Sequence, residues 1–209
     1  MDYSPQDLAT MDSIIKRYPR SRSAIMPLLH FVQSKVGFVN GEGIELIAKL
    51  LSLETAEVSA VATFYTQYKR KPVGEYHVGV CTNTLCAVMG GDAIFAGLKE
   101  HLGVENDGVT ADGKVSLEHI ECNAACDYAP VVMANWEFYD NQTVESSKDL
   151  VDSMRSGNPT PPTRGPNSLV TWKEASAVLA GINDGKAHEG VQAGGPSLLG
   201  LKISKEGKK

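Results

Sequence analysis

The stretch PVGEYHVGVCTNTLCAVMGG (residues 72–91) is where the period of the chain changes. Tyr76, Val78 and Val80 alternate with His77 and Gly79, the period-two pattern of a strand, and the run ends at Cys81. GGDAIFAGLKEHLG then places Ile94, Phe95, Leu98 and Leu102 on one helical face, with Gly103 as its stop. KVSLEHIEC alternates again through Val115, Leu117 and, less regularly, Ile120, and ends at Cys122. A helix between two strands predicts a right-handed parallel crossover, which delivers both strand ends to the same edge of the sheet. Downstream, PVVMANWEFYDN predicts a hairpin turning at Asn135. TVESSKDLVDSMRSG predicts a helix capped by Thr143 and stopped by Gly157. The order is β-α-β-β-β-α.

Upstream the apolar residues follow the helical period. Leu8, Met11, Ile14, Ile15 and Tyr18 follow the start signal SPQD, and Leu28, Leu29, Phe31, Val32 and Val36 form a second stripe closed by Gly37. GEGIELIAKLLSL and TAEVSAVATFY predict two more helices. The chain therefore divides into a helical N-terminal domain (1–74), a mixed α/β domain (75–157) and a remainder (158–209), an α+β protein overall. The remainder opens with the proline-rich linker NPTPPTRGPN. Its capping-box pattern Thr171-x-x-Glu174 predicts one short helix, and GGPSLLGLKISKEGKK carries no core pattern. The remainder reads as an extension lying on another surface, that of a partner.

At 209 residues, with 42% hydrophobic and 22% charged residues, the composition is that of a soluble globular protein. The net charge of −5, with no basic-aromatic cluster, argues against nucleic acid as a partner. No secretory signal is visible, and no apolar run approaches the roughly 20 residues that span a bilayer. A cytoplasmic location is expected. The five histidines are scattered without metal-ligand spacing. Gly90-Gly91 lacks the remaining glycines of a dinucleotide fingerprint, so NAD(H) is not expected on this chain. Trp136, Phe138 and Tyr139 read as packing residues.

All four cysteines lie in two pairs, Cys81-x4-Cys86 and Cys122-x3-Cys126, separated by thirty-five residues. The crossover brings both pairs to one sheet edge. A reducing cytosol and a core of this size make disulfides a poor use for them. A redox dithiol needs Cys-x-x-Cys, which is absent. Zinc accepts four thiolates, and its usual pair spacing includes both pairs. A [2Fe–2S] cluster, in which each iron takes two thiolates, accommodates the longer loops better. Its charge asks for amide donors and little side-chain bulk, as the alanines of CNAAC and the glycines of CAVMGG allow. Spacing alone leaves zinc and the cluster both open. Thr82, Thr84 and Asp127 flank the four thiols and suit either tuning or loop capping.

These residues resemble the [2Fe–2S] E-subunit family of NADH:quinone oxidoreductase, respiratory complex I. The cysteine spacing carries the resemblance, together with YPRSRSAIMPLLHFVQ (18–33), VATFYTQYKRKPVGEYHVGVCTNTLC (61–86) and ECNAACDYAPVVMANWEFYD (121–140). It covers residues 10–157. It implies a thioredoxin-like ferredoxin fold after a helical domain, and a [2Fe–2S] cluster on Cys81, Cys86, Cys122 and Cys126. It also implies single-electron exchange with FMN on a flavin/NADH-binding partner subunit, beside an adjacent iron–sulfur subunit, with membrane association only through the complex. The equivalent subunit of an NAD-linked formate dehydrogenase or hydrogenase is the alternative within the resemblance. A zinc-stabilised adaptor is the alternative outside it. One departure stands out. The family usually reads Cys-Leu-Gly-Ala-Cys where this chain has Cys122-Asn123-Ala124-Ala125-Cys126. A backbone with φ > 0 at Ala124 would be strained, and Asn123 places an amide where leucine is usual.

Overall fold

Helices α1 (Pro5–Ile15), α2 (Ile25–Val36), α3 (Gly41–Leu51) and α4 (Thr55–Phe64) open the chain in a computed structural model that describes residues 3–191 and 193–207. Their ends follow local chemistry. Ser4 and Asp7 form a capping box at the start of α1, with Pro5 in its first turn, and Gly37 closes α2 in the left-handed region at φ 96°. Met11, Ile14, Leu28, Leu29, Phe31, Val32, Ile47 and Val58 meet in one core.

A later element completes this unit. Helix α8 (Trp172–Leu179) has the capping box of Thr171 and Glu174 and packs against α2. Trp172 is buried, and its Nε1 donates to the carbonyl of Gly37 at 2.7 Å. Gln33 on α2, fully buried, donates through Nε2 to Ser176 and to the Gln67 carbonyl and accepts from the Lys69 amide. The helical unit is thus residues 1–73 with 171–184. The remainder, read from sequence as a single extension (158–209), divides in the structure. Its capped helix belongs to the helical core, and only 158–170 and 185–209 group with the sheet. The sequence reading missed this because α8 is short and its partner face on α2 is remote in sequence.

The second unit is built on a five-stranded sheet in the order β2-β3-β1-β4-β5. Strand β1 (Tyr76–Cys81) pairs in parallel with β3 (Val115–Ile120), Cys81 opposite Ile120, and antiparallel with β4 (Val132–Ala134). The crossover from β1 to β3 runs through α5 (Thr84–Val88), α6 (Gly91–Leu102) and the two-residue edge strand β2 (Gly108–Val109), which sequence reading did not separate from the loop. Strand β5 (Glu137–Tyr139) closes the expected hairpin, with Asn135 at φ 50° and Trp136 at φ 72° in its two-residue turn. Positive φ at both turn positions is what a type I′ connection needs. Helix α7 (Val144–Arg155) is capped by Thr143 as expected.

The alternation of β1 sets its two faces. Tyr76, Val78 and Val80 point into a core with Ile94 and Leu98 of α6 and Leu150, Val151 and Met154 of α7. Cys81 joins a second cluster with Cys86, Ile120, Ala125, Val131 and Met133, flanked by Trp136 and Phe138. Helix α9 (Gly195–Glu206), which the sequence reading did not foresee, has no buried residue. No helix among the described residues is long and apolar enough to cross a membrane.

Candidate metal centre

Strand β1 delivers the first cysteine. Parallel pairing with β3 puts Cys81 at the carboxyl edge of the sheet, and Cys122 follows two residues after the end of the neighbouring strand. The chain leaves β1 through a short loop into α5, which carries Cys86. Both Cys81 and Cys86 are buried. Their fixed position depends on Gly91. A Cβ there would collide with the Cys81 carbonyl oxygen and lie 2.9 Å from that of Cys86, so only glycine lets α6 start against this loop. Gly91, the second glycine of CAVMGG, therefore brings backbone against the carbonyls of the cysteine loop.

The second pair sits on a different kind of support. Residues 121–125 belong to no helix or strand, and Cys126 opens a 3-10 turn, Cys126–Tyr128. Cys122 and Cys126 are exposed, with their sulfurs 3.4 Å apart. Ala124 lies between them at φ 56°, the left-handed conformation in which alanine is strained. That conformation aims the Ala124 amide at the Cys122 Sγ, 3.4 Å away. Asn123 donates its side-chain amide to the Glu121 carbonyl at 3.0 Å.

A residue that sequence reading passed over joins the two loops. Asn83 occupies the N-cap position of α5 but makes no side-chain cap. Its Oδ1 instead accepts from the backbone amide of Cys122 at 2.9 Å. The only available signal, an asparagine just before a helix, points to a local cap. The Asn83 backbone amide also donates to the Cys81 thiol. Among the flanking residues, Thr82 is half-buried in the first loop, Thr84 starts α5, and Asp127 accepts from Ser197.

Electrostatics draws the four thiols into one group. Burial pushes the Cys81 thiol up to about 11, and Cys86 and Cys122 add to the rise. The thiol of Cys126 is raised first by its hydrogen bond with Cys122, with Cys86 contributing at longer range. In the bare protein Cys81 and Cys126 therefore favour the neutral thiol. Among the described residues no three ligating side chains gather closely enough to hold a single ion. The sulfurs stand as two pairs. Pairs of thiolates on opposing loops, with amide donors at Cys81 and Cys122, suit a two-iron group that takes two sulfurs on each iron.

The comparisons with known proteins agree with this geometry. Residues 11–155 match the family model for the thioredoxin-like [2Fe–2S] ferredoxin. The NADH-quinone oxidoreductase E subunit of Mycobacterium tuberculosis is 56% identical over 209 aligned residues, covering 98% of this chain and 82% of that protein. The E subunit of Rickettsia bellii is 40% identical over 157 residues, covering 74% of this chain and 94% of its own length. An NAD+-reducing [NiFe]-hydrogenase crystallised in the air-oxidised state superposes with a TM-score of 0.58, at 19% identity over 68% of this chain and 25% of that one, a likeness of fold. The two cysteine loops at one sheet edge are thus set in a known frame, and the chain belongs to the E-subunit family of NADH-quinone oxidoreductase, with a thioredoxin-like [2Fe–2S] ferredoxin domain at its centre.

Proposed function

We propose that Cys81, Cys86, Cys122 and Cys126 ligate one [2Fe–2S] cluster, and that the chain passes single electrons between it and a flavin on a partner subunit. The partner is the NADH-binding flavoprotein, with a second iron–sulfur subunit beside it, in the peripheral arm on the cytoplasmic face of the membrane. The observation that carries the reading is the convergence of two cysteine pairs at the carboxyl edge of β1 and β3, one pair at 3.4 Å between sulfurs. Family membership supports it.

When bound, such a cluster supplies a one-electron couple and no bond-making chemistry. The protein holds it and sets its surroundings. Cys81 and Cys86 ligate from the buried side, on a strand end and a helix locked by Gly91. Cys122 and Cys126 ligate from the exposed side. The amides of Asn83 and Ala124 donate to sulfur, which offsets thiolate charge and favours the reduced state.

Anaerobic reconstitution of the full chain tests the assignment. Iron and inorganic sulfide in the ratio of a [2Fe–2S] centre are expected, with an EPR signal after dithionite reduction. Serine at any of the four cysteines is expected to abolish or shift that signal. A colourless protein holding stoichiometric zinc would replace this reading with a structural adaptor. Co-purification with a formate dehydrogenase or hydrogenase, in place of the respiratory flavoprotein, would reassign the partner and leave the cluster in place.

A further inference from the structure

The C-terminal segments outside the family match close over the turn that carries Cys126. The match ends at residue 155. Beyond it, Arg164 forms a bidentate pair with Asp140, Nε and Nη2 to its two carboxylate oxygens at 3.0 and 3.1 Å. The same guanidinium lies 4.0 Å from the ring centre of Phe138 and 5.0 Å from that of Tyr128. Tyr128 is the last residue of the 3-10 turn that begins at Cys126. The next layer is laid by residues 185–191 and 193–207. The Gly165 amide donates to the Val191 carbonyl at 2.8 Å, and Glu189 accepts from the Asn167 amide. Gly190 packs on the Gly165 carbonyl, where a Cβ would collide. Gly194 lies directly on the Tyr128 side chain, where a Cβ would collide with Oη and stand 2.7 Å from Cζ. The Tyr128 hydroxyl is consequently buried with no hydrogen-bond partner. Ser197, in the first turn of α9, donates to Asp127 at 3.4 Å.

We infer that residues 185–191 and 193–197, with Arg164 beneath them, act as a strap that positions the Cys122–Cys126 loop, Tyr128 being the residue through which they hold it. This rests on the cluster assignment above for its consequence but not for its geometry. Three observations carry it together. Residues 121–125 lie outside every strand and helix, so no ladder fixes them. Tyr128 is clamped on one face by a cation and covered at its tip by a glycine backbone. The turn from Cys126 to Tyr128 is too short to let one end move without the other, since the Tyr128 amide already closes on the Ala125 carbonyl at 3.0 Å. Arg164, Gly194 and Ser197 are positioning residues. None of them touches a sulfur.

The test compares the full chain with one ending at Asp184, which keeps α8 in the helical core, and with the Gly194→Leu and Tyr128→Leu variants. Hydrogen exchange is read in the reduced, metal-free chain, and chelator-driven iron release in the reconstituted one. Exchange at the amides of Cys122, Tyr128 and Ala129 is expected to quicken by about five- to thirtyfold, with β1 and β3 unchanged. Iron release should quicken in the same variants. Tyr128→Phe keeps the ring and removes only the orphaned hydroxyl, and it should behave as the unaltered chain. Loop exchange within about twofold of the full chain after truncation would overturn the inference, as would equal acceleration across the whole sheet. A full chain that binds no iron would instead overturn the cluster assignment, while exchange in the metal-free chain would still decide the strap.

Discussion

Replacing Ala124 by glycine is expected to stabilise the sheet unit of the metal-free chain. Ala124 sits at φ 56°, where its Cβ crowds the backbone. The left-handed region costs an L-residue about 1–2 kcal/mol, and glycine escapes this. Against that gain, glycine adds freedom to the unfolded chain worth about 0.4–1 kcal/mol. The difference leaves a net gain of roughly 0.5–1 kcal/mol. Little else changes, because Ala124 is exposed and its methyl contributes no buried core surface. The backbone amide that approaches the Cys122 sulfur is retained. Ala125 is the natural control. It is buried at φ −104°, so Ala125→Gly carries the entropy cost and loses a packed methyl, with no strain to relieve. It should lose about 1 kcal/mol or more. Urea unfolding of the reduced chain, followed by hydrogen exchange in β1 and β3, reads both. A neutral or destabilising Ala124→Gly, or the same sign for both variants, would refute the strained-turn account of this loop.

Asn83→Ala removes the acceptor for the Cys122 amide and should cost about 0.5–1 kcal/mol, with faster exchange confined to the second cysteine loop. His30 on α2 is buried beside Tyr68, its Nδ1 has no partner, and burial lowers it from 6.5 to about 4. It is neutral in the folded chain, while the unfolded chain takes up a proton below 6.5. Its contribution is therefore complete above that pH and lost as the pH falls to about 4, a total of roughly 3 kcal/mol. His30→Phe should flatten that part of the stability profile of the helical unit in denaturation series between the two pH values. Trp172→Ala should destabilise the helical unit by about 3–5 kcal/mol, read by hydrogen exchange in α2. A chain ending at Val170 should show a loss at least as large, and one ending at Asp184 should not.

The frame was legible because its signals are local. The strand of residues 76–81 declares itself by alternation, the helices by period and caps, and the hairpin by Asn135. The four cysteines were legible as one group because a single helix between two strands already sends both to one edge. What escaped was contact between remote residues. Trp172 and Ser176 read as part of a tail until Gly37 is found accepting from the one and Gln33 donating to the other, and no local pattern encodes that meeting. Asn83 reads as a cap until its side chain is found on another loop. The strain at Ala124 falls between these cases. The substitution was visible as a departure from the family's glycine, but only the backbone shows that the position needs φ > 0.

The two halves of the centre are held by opposite means. Cys81 and Cys86 inherit their positions from a strand ladder and a helix packed on glycine, so their geometry is a by-product of the fold and survives small perturbations. The Cys122–Cys126 loop has no ladder. It is over-determined by Asn83 at its start, a left-handed alanine in its middle and Tyr128 at its end. A strained residue persists only where its neighbours leave the backbone no alternative. The constraints at the two ends are therefore what keep Ala124 in the conformation that turns its amide to sulfur. Loosening either end should relax that residue toward negative φ and withdraw the amide. Relief of strain by glycine and loss of an end restraint act on the same backbone, so they should be non-additive in a double-mutant cycle. Asn83→Ala should cost less when position 124 is alanine than when it is glycine, because freeing the loop also releases the alanine's strain.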